Sequence, residues 1–305
     1  MPSLSATLAA GPVVLDGGLS NQLAACGHDL SNPLWTARLL RDDPAAIVDA
    51  HQVYLDAGAS VVITSSYQAT FEGFSRCGLG TDETVRLLRR SVDLARRAAE
   101  RTPGQRPLWT AASIGPYGAM LADGSEYRGR YGLSVAELER FHRPRAQVLA
   151  QARPDVLAIE TVPDVDEAEA LLRVVADLDV PAWLSFTVDG TRTRAGQPLE
   201  EAFGLAAGVD EVVAVGVNCC SPGDVDEAVR IAARTTGKPV VVYPNSGEEW
   251  DAGARTWRGR TAFEPERVSA WIEAGARLIG GCCRVGPDQI ARLAEVVSAA
   301  APRRP

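Results

Sequence analysis

Four of the six cysteines in this 305-residue chain come in adjacent pairs, Cys219-Cys220 and Cys282-Cys283. Each pair follows a short apolar run: Val212-Val-Ala-Val-Gly-Val-Asn218 before the first, and Leu278-Ile-Gly-Gly281 before the second. Clustered thiols bind metal ions as thiolates. Zinc takes four such ligands in a closed structural site, or three with one position open for chemistry. Adjacent free thiols can instead serve a redox role. Successive residues of a strand point to opposite faces, so Cys282 and Cys283 reach one ion only if the strand has already turned. Gly280-Gly281 makes that turn cheap. At Cys219-Cys220, flanked by Asn218 and Ser221-Pro222, one thiol is expected to point in and the other away. The expectation is a metal site of three thiolates with an open fourth position. Cys26 and Cys77 stand alone and are expected only to pack. His51 and His142 lie in helical patterns, as surface or packing residues, and His28 lies in a loop. None has metal-ligand spacing to another, so a histidine site is not expected.

Carboxylates and aromatics recur at comparable places. Glu160 follows Leu157-Ala-Ile159 and should face the same side as the thiols, unless it serves in a rim salt bridge. Asp16 precedes Gly17-Gly18 and either faces a ligand or bonds those amides in a turn. Tyr67, Tyr117, Tyr243 and Trp250 fall in or just after strand ends, where their faces would suit a cation; core packing is the alternative for each. Asn245 and Ser246 either bind a carboxylate or hold their own loop.

The elements that must position these groups follow from periodicity. Short β-branched runs at 13–16, 60–65, 108–113, 156–160, 182–187, 212–218, 239–243 and 277–280 read as strands. Between them, residues 43–57, 81–101, 135–151, 164–177, 198–209, 221–236, 264–274 and 287–300 carry apolar residues at helical spacing. About eight β-then-α units with continuous apolar strands imply parallel strands covered by helices. Asp16-Gly17-Gly18 is not a Gly-rich phosphate loop, which weighs against a doubly wound sheet. The expected fold is a single (β/α)8 TIM-type barrel domain over residues 1–305, since such barrels commonly run to ~250 residues. Both thiol pairs then end even-numbered strands, six and eight, which contribute to the same interior layer and should meet over the mouth. Longer insertions at 115–131 and 245–260 also follow strand C-termini.

A net charge of −8 and a pI near 5.1 argue against a nucleic-acid partner. No apolar stretch approaches the ~20 residues of a membrane span, and the N-terminus lacks a basic region, so no secretory signal is expected. A cytoplasmic protein is expected, and clustered thiols there are more often metal-binding or catalytic than disulfide-bonded. Nothing in the sequence speaks to oligomeric state.

Together these residues resemble the homocysteine S-methyltransferases, most closely the type that uses S-methylmethionine or S-adenosylmethionine. The resemblance spans essentially the whole chain. It rests on Asp16-Gly-Gly-Leu19, Ile63-Thr-Ser-Ser-Tyr-Gln-Ala-Thr70, Gly115-Pro-Tyr-Gly118, Asp123-Gly-Ser-Glu-Tyr-Arg-Gly129, Phe141-His-Arg-Pro-Arg145, Glu160-Thr161, Gly216-Val-Asn-Cys219, Tyr243-Pro-Asn-Ser-Gly247 and Gly280-Gly-Cys-Cys-Arg284. It implies an enzyme of methionine biosynthesis in which zinc, held by Cys219, Cys282 and Cys283, binds the homocysteine thiolate that takes a methyl group from a sulfonium donor. Cys220 is left outside that triad, as an extra thiol that either supports the ligands from behind or packs. Glu160, with Asp16 and Thr64, is expected to hold the homocysteine amino group, and Tyr67, Asn245 and Ser246 to line the substrate site. Betaine as donor, a selenol as acceptor, and a non-catalytic zinc or redox sensor are the rival readings. A sensor would need no acidic and aromatic residues gathered around its thiols.

Overall fold

A computed structural model describes residues 2–30, 34–104, 106–251 and 256–300. Eight strands form its main sheet: β1 (Val13–Val14), β2 (Val61–Ile63), β3 (Trp109–Ile114), β4 (Val156–Val162), β5 (Ala182–Phe186), β6 (Val212–Asn218), β7 (Val240–Tyr243) and β8 (Ala276–Ile279). They lie side by side in chain order, every pairing is parallel, and β8 pairs with β1. The remaining seam, between β1 and β2, is held by a bridge from Leu15 to Val61. There the Asp16 amide donates to the Val61 carbonyl at 3.0 Å, and the Ser60 amide to that of Val14 at 2.8 Å. The sheet thus returns on itself as the barrel expected from the sequence.

Two apolar shells result from strand alternation. On β4, Val156 and Ala158 point into the barrel with Trp109, Trp183, Val241 and Leu278. Leu157 and Ile159, their neighbours, pack outward against the helices. The helices at Thr81–Arg101, Val135–Gln151 and Pro287–Ala300 have the bounds that periodicity implies. Two expected helices begin late because each opens with a 3-10 turn, at Pro222–Asp224 and Pro265–Arg267. The helix expected at 198–209 ends at Gly204, the first of two glycines that weaken it.

Several short helices have no counterpart in that pattern: Leu19–Ala25, Phe71–Arg76, Tyr117–Leu121 and, most consequential, Leu4–Ala10. The last is capped by Ser3, whose hydroxyl accepts from the Ala6 amide. Its buried residues, Leu4 and Leu8, join the interior shell with Leu15, Val61 and Trp183. The Trp109 indole also donates to the Pro2 carbonyl at 3.3 Å. The helix therefore stops the barrel at the end opposite the strand C-termini. The short helices put Cys26 and Cys77 at C-caps, where both are exposed, which corrects the expectation that they pack. His51 and His142 are fully buried, so packing is their role and the surface alternative falls.

Among the described residues, no helix is long and apolar enough to cross a membrane. Leu8→Ala should cost about 2–5 kcal/mol, the range for deleting a buried leucine side chain. Urea denaturation measures it, and an unchanged midpoint would mean that the floor helix contributes no stability.

Candidate metal centre and active site

Strict alternation along β6 would send Ala214, Gly216 and Asn218 inward and Cys219 outward. Cys219 escapes that rule by a left-handed backbone, with φ of 51°. The turn brings its thiol over the barrel mouth and sends Cys220 into the outer apolar shell, where it is 1% exposed. After β8 the chain follows a second path to the same point. The Gly280 amide donates to the Val242 carbonyl at 2.9 Å, that of Gly281 to Asp16 at 3.1 Å, and that of Cys282 to Pro244 at 2.7 Å. The Asn245 side chain then accepts from the Cys283 amide at 3.1 Å. The sulfurs of Cys219, Cys282 and Cys283 end within 4.8 Å of one another, and those of Cys219 and Cys283 are 3.8 Å apart.

The glycines serve this convergence differently from the sequence expectation. Neither Gly280 nor Gly281 has a positive φ. What they supply is space. A Cβ on Gly280 would lie 2.6 Å from the Leu15 Cβ and 2.7 Å from the Asp16 carbonyl oxygen; one on Gly281 would lie 2.1 Å from the Val285 Cγ1. At Gly280 the cysteine loop is thus pressed against the end of β1, at Gly281 it closes on its own Val285, and only glycine allows either approach.

Crowding governs the protonation of the thiols. Hydrogen bonds from Cys219 and Cys282 hold the Cys283 thiol well below its ordinary range. The bonds Cys282 makes to the other two, together with burial, push its own thiol well above. Three thiolates this close repel one another, so their joint ionisation calls for a compensating cation.

The thiols line a cleft that opens to solvent. Asp16, Thr64, Tyr67, Glu160 and Tyr243 line it too. Glu160 is in register with the inward-facing Val156 and Ala158 and accepts a short hydrogen bond from the Ser113 hydroxyl. Burial raises its carboxyl to about 7, against that bond. Asp16 takes the Ile63 amide at 2.8 Å on Oδ2, not the amides of its own glycines, and its Oδ1 has no partner. Burial pushes it well above the usual carboxylate range, against the Ile63 bond, and neighbouring Glu160 adds to the rise. Thr64 works mostly within the wall: its hydroxyl accepts from the Ser113 amide at 3.0 Å and pairs with Ser66 at 2.7 Å.

Other expected residues sit elsewhere. Asn245 and Ser246 lie outside the lining of the cleft and hold the cysteine loop from behind; the Ser246 amide donates to the Cys283 carbonyl at 2.9 Å. Of the two alternatives for this pair, the loop-holding one matches the geometry. Tyr117 packs on Tyr131 and Phe141, at 5.2 and 4.8 Å between ring centres, away from the cleft. Tyr243 presents its hydroxyl to Trp183 and Ser185 at 3.0 and 2.9 Å, forming the floor. The Trp250 side chain lies outside the described residues.

Three contributors were not assigned from sequence. Glu126 and Tyr127, from the 3-10 turn Ser125–Tyr127 in the insertion after β3, line the cleft, and the Tyr127 hydroxyl lies 3.1 Å from the Cys219 sulfur. Asn218 accepts from the Thr161 amide and donates to its hydroxyl, both at 2.7 Å, fixing a left-handed residue beside Glu160. The Asp123–Gly129 and Asn-Cys motifs were the available signal, but a motif does not say which of its side chains turns inward.

The family model described as homocysteine S-methyltransferase matches residues 13–297. The chain belongs to the homocysteine S-methyltransferase family. It is a methyltransferase by that membership. Its relatives include homocysteine S-methyltransferase 4 of Zea mays, 44% identical, with the match covering 95% of this chain and 90% of the relative. A Bacillus subtilis homocysteine S-methyltransferase is 42% identical over 92% of this chain and 93% of its own. A selenocysteine methyltransferase of Astragalus bisulcatus is 40% identical, over 93% and 92%. Among solved structures, the metallated form of an Escherichia coli homocysteine methyltransferase superposes with a TM-score of 0.85 at 41% identity, covering 93% of this chain and 96% of that one.

Gly281→Ala should destabilise the fold by about 1–3 kcal/mol through overpacking against Val285. Combining it with Val285→Gly should recover part of the loss, because the Val285 Cβ and both its methyls are what the new methyl would meet. Purely additive denaturation midpoints would mean that the close approach is not the reason for glycine.

Proposed function

We propose that this chain transfers a methyl group from a sulfonium donor, S-methylmethionine or S-adenosylmethionine, to the sulfur of homocysteine, giving methionine and the demethylated donor. The observation that carries the reading is the meeting of three thiols in a cleft that also holds buried carboxylates. The donor set fits zinc. Bonds of ~2.3 Å at tetrahedral angles place two sulfurs ~3.8 Å apart, the separation found between Cys219 and Cys283. Cys219, Cys282 and Cys283, which line the cleft, would hold the ion. Bound there, zinc would favour the thiolate form of an incoming thiol, which at its ordinary pKa near ~8.5 is mostly protonated at neutral pH.

The chain's own residues supply orientation. Glu160 and the free Oδ1 of Asp16 offer acceptors for the homocysteine ammonium, so that its sulfur reaches toward the cysteines. Tyr67 and Tyr127 offer aromatic faces to a cationic sulfur. In the transfer, the homocysteine sulfur forms a bond to the methyl carbon as the carbon–sulfonium bond breaks. The electron pair leaves with a neutral thioether. Holding the two sulfurs in line across the methyl group is the main source of rate. A sensor built on saturated thiols would have no use for the carboxylates around them. A selenol would bind the same site, and the Astragalus relative is named for such an acceptor, so selenocysteine belongs beside homocysteine in the assay.

Purified, reduced, zinc-loaded protein should form methionine from homocysteine and S-methylmethionine; no turnover with either sulfonium donor would sink the reading. Cys219→Ala, Cys282→Ala and Cys283→Ala should each lose the metal and at least ~100-fold in activity, given the cost of removing a ligand-shell group. Cys220→Ala should keep both, and metal content per chain checks the set.

Affinity for homocysteine should improve as pH rises through about 7. The raised Glu160 carboxyl is neutral below that pH and becomes the anion that holds an ammonium above it. Glu160→Gln should bind weakly and lose this inflection in the pH profile of 1/KM.

A further inference from the structure

Two carboxylate oxygens of the cleft residues are buried without a hydrogen-bond partner, Oδ1 of Asp16 and Oε2 of Glu126. Buried acceptors ordinarily have a partner, so each marks a place where a ligand is to donate. They belong to different walls. Asp16 ends β1 and interacts electrostatically with Glu160. Glu126 sits on the insertion after β3 and interacts with Cys219 and Asp123. Tyr67, which lines the same cleft, interacts electrostatically with both Glu126 and Glu160.

Glu126 is not a stray surface acid. It is 9% exposed, and its segment is built to hold it. The Asp123 carboxylate accepts from the Ser125 amide at 2.9 Å, and the Ser125 carbonyl accepts from the amides of Arg128 and Gly129 at 3.0 Å each. A Cβ on Gly118 would lie 2.4 Å from the Glu126 nitrogen, so the insertion folds back on itself at van der Waals contact. The carbonyl of Gly115, where the insertion begins, is bound by the buried Arg145 guanidinium.

The reaction proposed above needs two ligands, and both sulfonium donors considered carry an α-ammonium group, as homocysteine does. We propose that Glu126 binds the α-ammonium of the methyl donor and so selects sulfonium amino acids over sulfonium compounds without an amino group. This inference rests on the methyltransferase reading. The choice of ammonium over sulfonium follows from hydrogen bonding. An unpartnered carboxylate oxygen needs an N–H donor, and a trialkyl sulfonium has none. The choice of donor over acceptor follows from the elements that carry the acids: Asp16 and Glu160, just after β1 and on β4, already form an interacting pair, whereas Glu126 stands on the insertion after β3.

The test compares wild type with Glu126→Gln, which keeps shape and removes charge. Both are assayed with S-methylmethionine and with 3-dimethylsulfoniopropionate, which has the sulfonium and carboxylate but no ammonium. A charge-assisted hydrogen bond corresponds to roughly a 10- to 100-fold change. That loss is expected in kcat/KM for S-methylmethionine, with less than ~2-fold change for the ammonium-free donor or in homocysteine KM. Glu126→Asp should restore part of the loss, and equal metal content and melting temperature exclude misfolding. Equal losses with both donors, or a loss falling on homocysteine, would overturn the assignment. If the wild type makes no methionine, the methyltransferase reading fails, and calorimetry with S-methylmethionine on the metal-loaded proteins still decides. Binding weakened by Glu126→Gln supports the ammonium site; equal binding, or no binding by the wild type, overturns it.

Discussion

Three sulfur atoms crowded at one point cannot be arranged by side-chain choice alone, because each thiol reaches only as far as its own Cβ allows. The backbone must come to them. In this barrel, the left-handed backbone of Cys219 just after β6 turns its own thiol inward, and the segment after β8 is pressed onto the end of β1 at Gly280 and onto its own Val285 at Gly281. Gly216 extends the same requirement into the sheet: a Cβ there would lie 1.9 Å from the Val241 carbonyl oxygen. Much of the order at the mouth answers to this contact, including the loop from Pro244 to Ser246 whose carbonyl, side-chain and amide groups hold Cys282 and Cys283.

The same cleft collects acidic groups that burial disfavours as anions. Asp16, Glu126 and Glu160 are all raised in pKa by desolvation. The fold tolerates them partly because some are half satisfied: Oδ2 of Asp16 takes an amide and Oε1 of Glu160 takes a hydroxyl. The remaining lone pairs point at space that a cation would fill. Cationic ligands should therefore stabilise the folded protein as well as occupy it, by mass action. Stability has been given up at the site in the form of unpaired acceptors, which is where local rules of sequence and structure are expected to conflict.

Most of the architecture was legible because barrel strands are apolar on both faces and their helices are strongly periodic. β6 has the same bounds in both readings. The thiol triad was legible through its motifs, and Cys220 was set apart by the resemblance. What could not be read were features set by contact across the fold. The role of Gly280 depends on Leu15, some 265 residues earlier in the chain. Glu126 and Tyr127 enter the cleft because Gly118 lets their segment fold back, and nothing in local spacing announces that. Asn245 and Ser246 were ambiguous for the complementary reason: their polar side chains suit a ligand and a loop equally until neighbours are known. Leu4–Ala10 was overlooked because a seven-residue helix has too few turns for periodicity to register.

That short helix has a consequence for traffic. Among the described residues, Leu4 and Leu8 fill the interior shell at the floor, and the thiols are reached from the cleft at the strand C-termini. Whatever lies nearest the sulfurs must arrive before anything that sits above it and depart after it. A stopper at the floor thereby imposes a queue at the mouth.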